Sequence, residues 1–496
     1  MIDRETARIN LARDLAEAGQ YAKALELSEE PLCENPNHVG WLMLNVYCLE
    51  KAGKIGIAYH LCKRLLELAP RDASAWLNMT NLHSRLWMVS EAVKSAKRGL
   101  EFAFKEKDRL HLLVNLGCIY VDTGQFDKGL ECLNKAAEID PEADKVISNS
   151  GFCYLAKREW EKGWKFYHRS LGDPNKGAWR ERITYANEPE WDGTPGKKVV
   201  LYGEQGVGDQ ICFASVIPDA QKDAEIILDV HPKLKGLFAR SFPEITVYGT
   251  HKQTTKPWKK EDREFDASFP MGQLGEFYRL TDESWPRKPY LVADPDRTLM
   301  WEALFGSKGK PVIGIGWTGG IPRTGRRFRV STLEDWLPLF KAIDAHWVSL
   351  EYKQSKDVQE FKEAYPDIDL AEYPFATLSD DYDDCAALVS ALNLVVSVPT
   401  AVSHLAGALG TPNIWLKHAY PCWKIAAGMP FHPMSAILPW LGTWKQTVIN
   451  SIPEVRRWLE PEALKNVSDV ATKSMDAQDV GNGLGDSSQT AMRASA

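Results

Sequence analysis

The sequence predicts a multidomain α plus α/β chain, in which an array of paired helices precedes two lobes of alternating strands and helices. Three observations predict it. Apolar and small residues recur every 34 positions through the first third of the chain. After Trp191 the period of 3.6 gives way to short β-rich runs separated by helix-compatible stretches. At 496 residues the chain also exceeds what one hydrophobic core usually serves.

In the first third, Tyr21, Ile55 and Val89 follow one another at 34 residues, Phe126 after 37 and Trp160 after 34. Gly19 and Gly53 precede the first two of these positions, Gly117 pairs with Gly151 and Tyr120 with Tyr154, and Pro36, Pro70 and Pro141 keep step. Such a unit is two antiparallel amphipathic helices, with small residues where they approach and a proline where the second helix stops. The pattern resembles the tetratricopeptide repeat over residues 5 to 170, in about five units. That resemblance implies a groove for a protein or glycan acceptor, with a spacer or dimerisation surface as the alternative. Trp41, Trp76 and Trp164 read as packing residues.

The first α/β lobe is read from VVLYGE at 199–204, EIILDV at 225–230, ITVYGT at 245–250 and FDASFP at 265–270. The second is read from PVIGIGW at 311–317, HWVSLEY at 346–352, DIDLAEY at 367–373, LNLVVSV at 392–398 and PNIWLK at 412–417. Helices are expected from Thr332 to Ile343, Ser355 to Ala364 and Ser403 to Leu409. The expected division is repeats at 1–170, a linker at 171–196, lobes at 197–295 and 296–467, and a disordered tail at 468–496 that is poor in large apolar residues.

The net charge of -7 gives no general electrostatic reason to bind nucleic acid. The opening Met-Ile-Asp-Arg-Glu-Thr lacks a basic and then apolar leader, and no run of about 18 apolar residues occurs. The expectation is a cytoplasmic protein without a transmembrane segment. Nine cysteines, scattered from Cys33 to Cys422 without CxxC pairs or zinc spacing, fit a reducing compartment and no metal site.

Three segments carry chemistry. Gly203-Glu-Gln-Gly206-Val-Gly208-Asp209 follows a strand, so Gly206 and Gly208 let the backbone approach a ligand and Asp209 is either a general base or a helix N-cap. Arg323-Thr-Gly-Arg326-Arg327-Phe-Arg329 follows the strand PVIGIGW, where guanidiniums suit a diphosphate. Pro399-Thr400-Ala401-Val402-Ser403-His404 opens a helix after LNLVVSV; Thr400 can cap it and its free N–H groups suit a phosphate. A fourth match, Gly314-Ile-Gly316-Trp-Thr-Gly319, has the dinucleotide-binding form but begins inside a strand, so it is discounted.

Together GEQGVGD, IGIGWTG, RRFRVSTLEDWLPL, WVSLE and DYDDCAALVSALNLVVSVPTAVSHLAGALG resemble the tetratricopeptide-linked glycosyltransferases related to the lipopolysaccharide (ADP-heptose) heptosyltransferases, over residues 191 to 440. The resemblance implies a GT-B architecture of two Rossmann-like lobes. It implies a nucleotide-diphospho-sugar as donor, and neither cofactor nor metal. Asp209 matches the family's base, Arg327 and Arg329 its basic loop, Glu351 a ribose-contacting position, and Thr400, Ala401, Val402 and His404 its phosphate-facing helix start. Pro399 departs from it, because related sequences commonly have Asp there. The expected function is sugar transfer to a hydroxyl acceptor held by the repeats, and the alternative is a repeat scaffold with a weak or inactive GT-B module.

Overall fold

The computed structural model describes residues 4–460 apart from 174–177, 252, 254, 261–263, 286, 321–327, 353–355 and 433. Arg323, Arg326, Arg327 and the tail at 468–496 lie outside the described residues. The chain divides into two compact units, Met1–Cys153 and Tyr154–Ala496.

The first unit is made of helix pairs: α1 (Arg4–Glu17) with α2 (Tyr21–Glu34), α3 (Val39–Lys51) with α4 (Ile55–Leu68), α5 (Ala73–Arg85) with α6 (Val89–Phe102), and α7 (Glu106–Asp122) with α8 (Phe126–Ala137). Next come α9 (Asp144–Ala156), which crosses the division, and α10 (Trp160–His168). Each phase-marking residue of the sequence is the first residue of a second helix. Two positions earlier the chain must reverse through the left-handed region, with φ of 76° at Gly19 and Gly53, 55° at Trp87, 72° at Gly124 and 64° at Arg158. Ala24, Ala58 and Ala92, fourth in α2, α4 and α6, are fully buried, since only a small side chain fits where paired helices meet.

The second unit begins at Tyr154, in the last turn of α9, and so takes in α10, ahead of the expected boundary at 170. Trp164 is buried and its indole N–H donates to the Arg279 carbonyl at 2.9 Å, while Trp160 Nε1 donates to Asp282 at 2.8 Å. The segment 171–196 is likewise no free linker. It forms the short parallel strands β1 (Leu171–Gly172) and β2 (Arg180–Glu181), and it buries Arg180, Tyr185 and Trp191.

The first sheet contains β3 (Lys198–Tyr202), β4 (Glu225–Asp229), β5 (Thr246–Tyr248) and β6 (Ala267–Pro270) in the order β5-β4-β3-β6, all parallel. Its helices are α11 (Val207–Phe213), α12 (Ile217–Asp223), α13 (Lys235–Ser241) and α14 (Gly275–Tyr278). After α15 (Pro295–Gly306) come β7 (Val312–Gly316), α16 (Leu333–Ala342), β8 (His346–Ser349), α17 (Lys356–Ala364), β9 (Leu370–Glu372), α18 (Pro374–Thr377), α19 (Tyr382–Ser390) and β10 (Leu394–Ser397). The chain continues through α20 (Ala401–Leu409), β11 (Asn413–Leu416), α21 (Trp423–Ala426), β12 (Ser435–Leu438) and α22 (Trp444–Leu459).

This second sheet is six parallel strands in the order β12-β11-β10-β7-β8-β9. Numbered within the sheet, that is 3-2-1-4-5-6 read from its β9 edge, the order of doubly wound sheets that bind ligands where the order reverses. The reversal falls between β7 and β10. The edge strand β12 was not expected from the sequence, because Ser435-Ala-Ile-Leu438 is short and only half-buried. Among the described residues no helix is long and apolar enough to cross a membrane.

Candidate functional site

The first turns of α11 and α20 meet. A Cβ added to Gly208 would lie 3.1 Å from Ala401 Cα and 3.2 Å from His404 Cδ2, so the glycine lets the two helix starts approach without crowding. One start follows β3 of the first sheet and the other follows β10, beside the reversal point of the second. Gly206 is the N-cap of α11, which leaves Asp209 as its third helical residue and disposes of the N-cap reading. The Asp209 carboxylate instead accepts from the ammonium of Lys424, on α21. Lys424 is buried whereas Asp209 remains partly exposed. Burial is the largest single influence and works against the lysine's charge, but Asp209, joined by Cys212, Cys422 and Tyr167, outweighs it and holds the amine above its usual pKa.

Thr400 is the N-cap of α20, its hydroxyl accepting from Ser403 N–H at 3.4 Å. Val402 is buried and Ala401 half-buried, so these two set the packing of the helix start. His404, also buried, faces His432, with Nδ1 and Nε2 2.9 Å apart. The network assigns the protons. Tyr290 Oη donates to the Ile211 carbonyl at 3.1 Å and therefore accepts from His432 Nδ1, which lies 3.4 Å away. His432 Nε2 is then an acceptor for His404 Nδ1–H, and His404 Nε2 is left as an acceptor. Burial, with His432 and Lys424 adding to it, holds His404 well below its ordinary pKa; burial and Lys424 bring His432 down to about 3. Both rings are neutral at physiological pH.

Cys212, His404 and His432 bring possible metal-ligating atoms within 4.8 Å of one another. The facing nitrogens already bond each other, burial raises the Cys212 thiol well above its usual range, and the Lys424 ammonium sits 4.9 Å from the Phe213 ring beside them. The surrounding field opposes a cation. The acidic run at the start of α19 binds arginine and lysine: Asp383 pairs with Arg240 at 2.5 Å, Asp384 with Arg297 at 2.6 Å and Asp380 with Lys233 at 3.1 Å.

Glu351 closes the loop after β7. Its Oε1 accepts from the backbone N–H groups of Trp317 and Thr318 at 2.8 and 2.7 Å, and its Oε2 from the Thr318 hydroxyl. The loop returns through an antiparallel bridge between Thr318 and Val330, which brings Arg329 back to the carboxyl end of the second sheet. Arg329 is the part of the expected basic loop that lies among the described residues.

A second charged network lies behind Gly206. Arg180 is buried with Glu204, to which Nε and Nη2 donate at 3.1 and 2.8 Å, and Nη1 donates to Gln273 at 2.7 Å. Its guanidinium carbon stands 4.1 Å from the Tyr167 ring centroid, so α10 and the 171–196 segment jointly brace the glycine-rich loop. Sequence reading missed Lys424, His432 and Arg180. No local pattern marks them, since each partner lies far away along the chain.

Residues 110–142, spanning most of α7 and α8, match the tetratricopeptide repeat family, so the chain contains tetratricopeptide repeats. The chain is 24% identical over 491 residues to Protein FlbA of Caulobacter vibrioides, covering 87% of this chain and 80% of that protein. At that coverage the likeness extends over both the repeats and the α/β unit. It is 24% identical over 99 residues to the Photosystem I assembly protein Ycf3 of Rippkaea orientalis, covering 20% of this chain and 57% of that one. Among solved structures it is similar to a thermophilic TPR protein of Thermus thermophilus, at 21% identity and a TM-score of 0.30, over 33% of this chain and 89% of that one.

Proposed function

We propose that the unit Tyr154–Ala496 is a metal-independent glycosyltransferase of GT-B architecture, with two Rossmann-like lobes, and that the repeats hold its acceptor. The observation that carries this reading is the meeting of the α11 and α20 first turns at Gly208 and Ala401, beside the reversal point of a 3-2-1-4-5-6 sheet. A partly exposed carboxylate, Asp209, stands at that junction. In the proposed reaction Asp209 takes the acceptor hydroxyl proton as the acceptor oxygen bonds to the sugar's anomeric carbon. The bond from that carbon to the diphosphate breaks with inversion, and a nucleoside diphosphate leaves. The α20 start, with its Thr400 cap, and Arg329 stabilise the charge that accumulates on the leaving group, a role preorganised donors can fill without a metal.

A second reading is a repeat scaffold whose α/β unit no longer catalyses. It is favoured by the Asp209–Lys424 ion pair, which already occupies one carboxylate oxygen, and by Pro399 in place of the family's Asp. A screen of nucleotide sugars that follows nucleoside diphosphate release, with and without chelator, separates the two. Turnover that survives chelation supports transfer; absence of turnover with every donor, in protein that still binds nucleotide, supports the scaffold.

A further inference from the structure

Among the described residues, two buried hydrogen-bond donors, one after β11 and one at the end of the β7 loop, have no acceptor. His418 is 2% exposed, and its Nδ1 accepts from the Tyr420 backbone N–H at 3.1 Å. That bond fixes the tautomer: in the neutral ring the proton sits on Nε2. Nε2 has no partner among the described residues although it is buried, and Arg329 Nε is in the same position. Native structures rarely leave a buried donor unpaired, because desolvating it without a replacement bond is unfavourable. Two such donors close together call for an acceptor.

The charges around them give its sign. His418 is held down to about 3 by burial, with Arg329 and Lys417 adding to it, and Lys417 is itself lowered by burial. Among the described residues no carboxylate stands among the influences on either group. The charged neighbours that act on His418 among the described residues, Arg329 and Lys417, are therefore both positive, whereas Arg180, Arg240, Arg279 and Lys424 elsewhere in the unit are each matched by a carboxylate. Phe328 packs edge-on against Tyr420 at 4.8 Å, which couples the end of the β7 loop to the β11 turn and keeps the two donors together.

We infer that Arg329, Lys417 and His418 form an anion pocket for a phosphate group, with His418 Nε2–H and Arg329 Nε–H as its buried donors and Lys417 as its counter-charge. The pocket rests on the proposed function only for the identity of the natural anion, a sugar-linked diphosphate. Lys417 and His418 follow β11, the strand next to β10, and lie outside any motif of the sequence.

The test uses the full chain and inorganic pyrophosphate as probe in a calorimetric titration, with inorganic phosphate and an uncharged nucleoside as parallel arms. His418→Asn keeps an oxygen for the Tyr420 N–H but removes the Nε2 donor, and Lys417→Met removes the charge at similar length. Pyrophosphate should bind the wild type, and each substitution should weaken it about ten-fold or more. The nucleoside arm should show no dependence on either. Melting curves check that the variants fold, and should His418→Asn not fold, Lys417→Met decides alone. No binding by the wild type, or equal binding by wild type and folded variants, overturns the pocket. Weakened binding without sugar transfer from any donor keeps the pocket and removes the transferase reading, and transfer with undiminished binding does the reverse.

Discussion

The repeats and the α/β unit place their polar contacts at very different distances along the chain. In the repeats, Asn115 donates to Asn81 and Ser74 to Asp108, each one period of 34 residues away. In the second unit Asp209 meets Lys424 across 215 residues, Arg240 meets Asp383 across 143 and Trp164 meets Arg279 across 115. A contact that recurs with the repeat is supported by its copies, and losing one leaves the neighbouring pairs in place. A contact that joins distant segments has no copy, so its loss is felt by the whole unit.

The comparison breaks most visibly if α10 is assigned to the wrong side. A chain beginning at residue 154 should melt cooperatively, whereas one beginning at 171 lacks Trp160 and Trp164 and should show no cooperative transition. Truncating a single buried tryptophan already costs about 3–5 kcal/mol. Identical melts for the two truncations would return α10 to the repeats.

Charge pairs sharpen the contrast. Arg180→Met leaves Glu204 buried without its partner and should cost about 3–5 kcal/mol in chemical denaturation. Lys135→Met, which removes an exposed pair with Glu131 on α8, should leave the melting temperature unchanged. Equal effects would mean that the Arg180 network is not buried as described.

Asp209→Asn tests chemistry against structure at one residue. On the proposed mechanism kcat should fall about 100-fold while donor affinity stays within a few-fold. The substitution also leaves a buried lysine unpaired, so stability should fall. Adding Lys424→Met should restore stability but not kcat. Recovery of both would make Asp209 a partner for Lys424 and nothing more.

A smaller effect should follow pH. Hydrogen bonds donated by His168 to Glu190 and then to Glu276 raise it to about 9 from an ordinary 6.5. A folded pKa above the unfolded one stabilises fully below 6.5 and is lost as pH rises through about 9. The melting temperature should therefore decline between those values, and His168→Gln should flatten the decline; an unchanged slope would remove His168 from the account. Smallest is Gly53→Ala. Nothing lies within 4 Å of the added Cβ, so only the left-handed φ of 76° opposes it, at about 1 kcal/mol measured by denaturant midpoint.

These differences also account for what was legible in the sequence. Tyr21, Ile55, Val89, Phe126 and Trp160 marked the start of a helix because a short period records itself in composition. Parallel strands such as Val312–Gly316 and Leu394–Ser397 were legible for the same reason, being buried runs of β-branched residues bounded by turns. Thr400 was legible as a cap because capping is local. What the sequence could not carry was pairing: Lys424 with Asp209, His432 with His404 and Arg180 with Glu204 are separated by whole elements. Trp164 was read as a packing residue, correctly, but its position in the repeat period pointed to the wrong core.

The placement of α10 also bears on synthesis. Its tryptophans leave the ribosome with the end of the repeats, yet the groups that cover them, the Arg279 carbonyl and Asp282, follow more than a hundred residues later. At ~5–20 residues per second that is a wait of roughly 6–24 s in which an aromatic helix face stays uncovered. The nascent chain thus has a window in which that face is open to chaperones or to a neighbouring chain, and Gly275, whose added Cβ would fall 2.3 Å from the Trp164 ring, helps to close it.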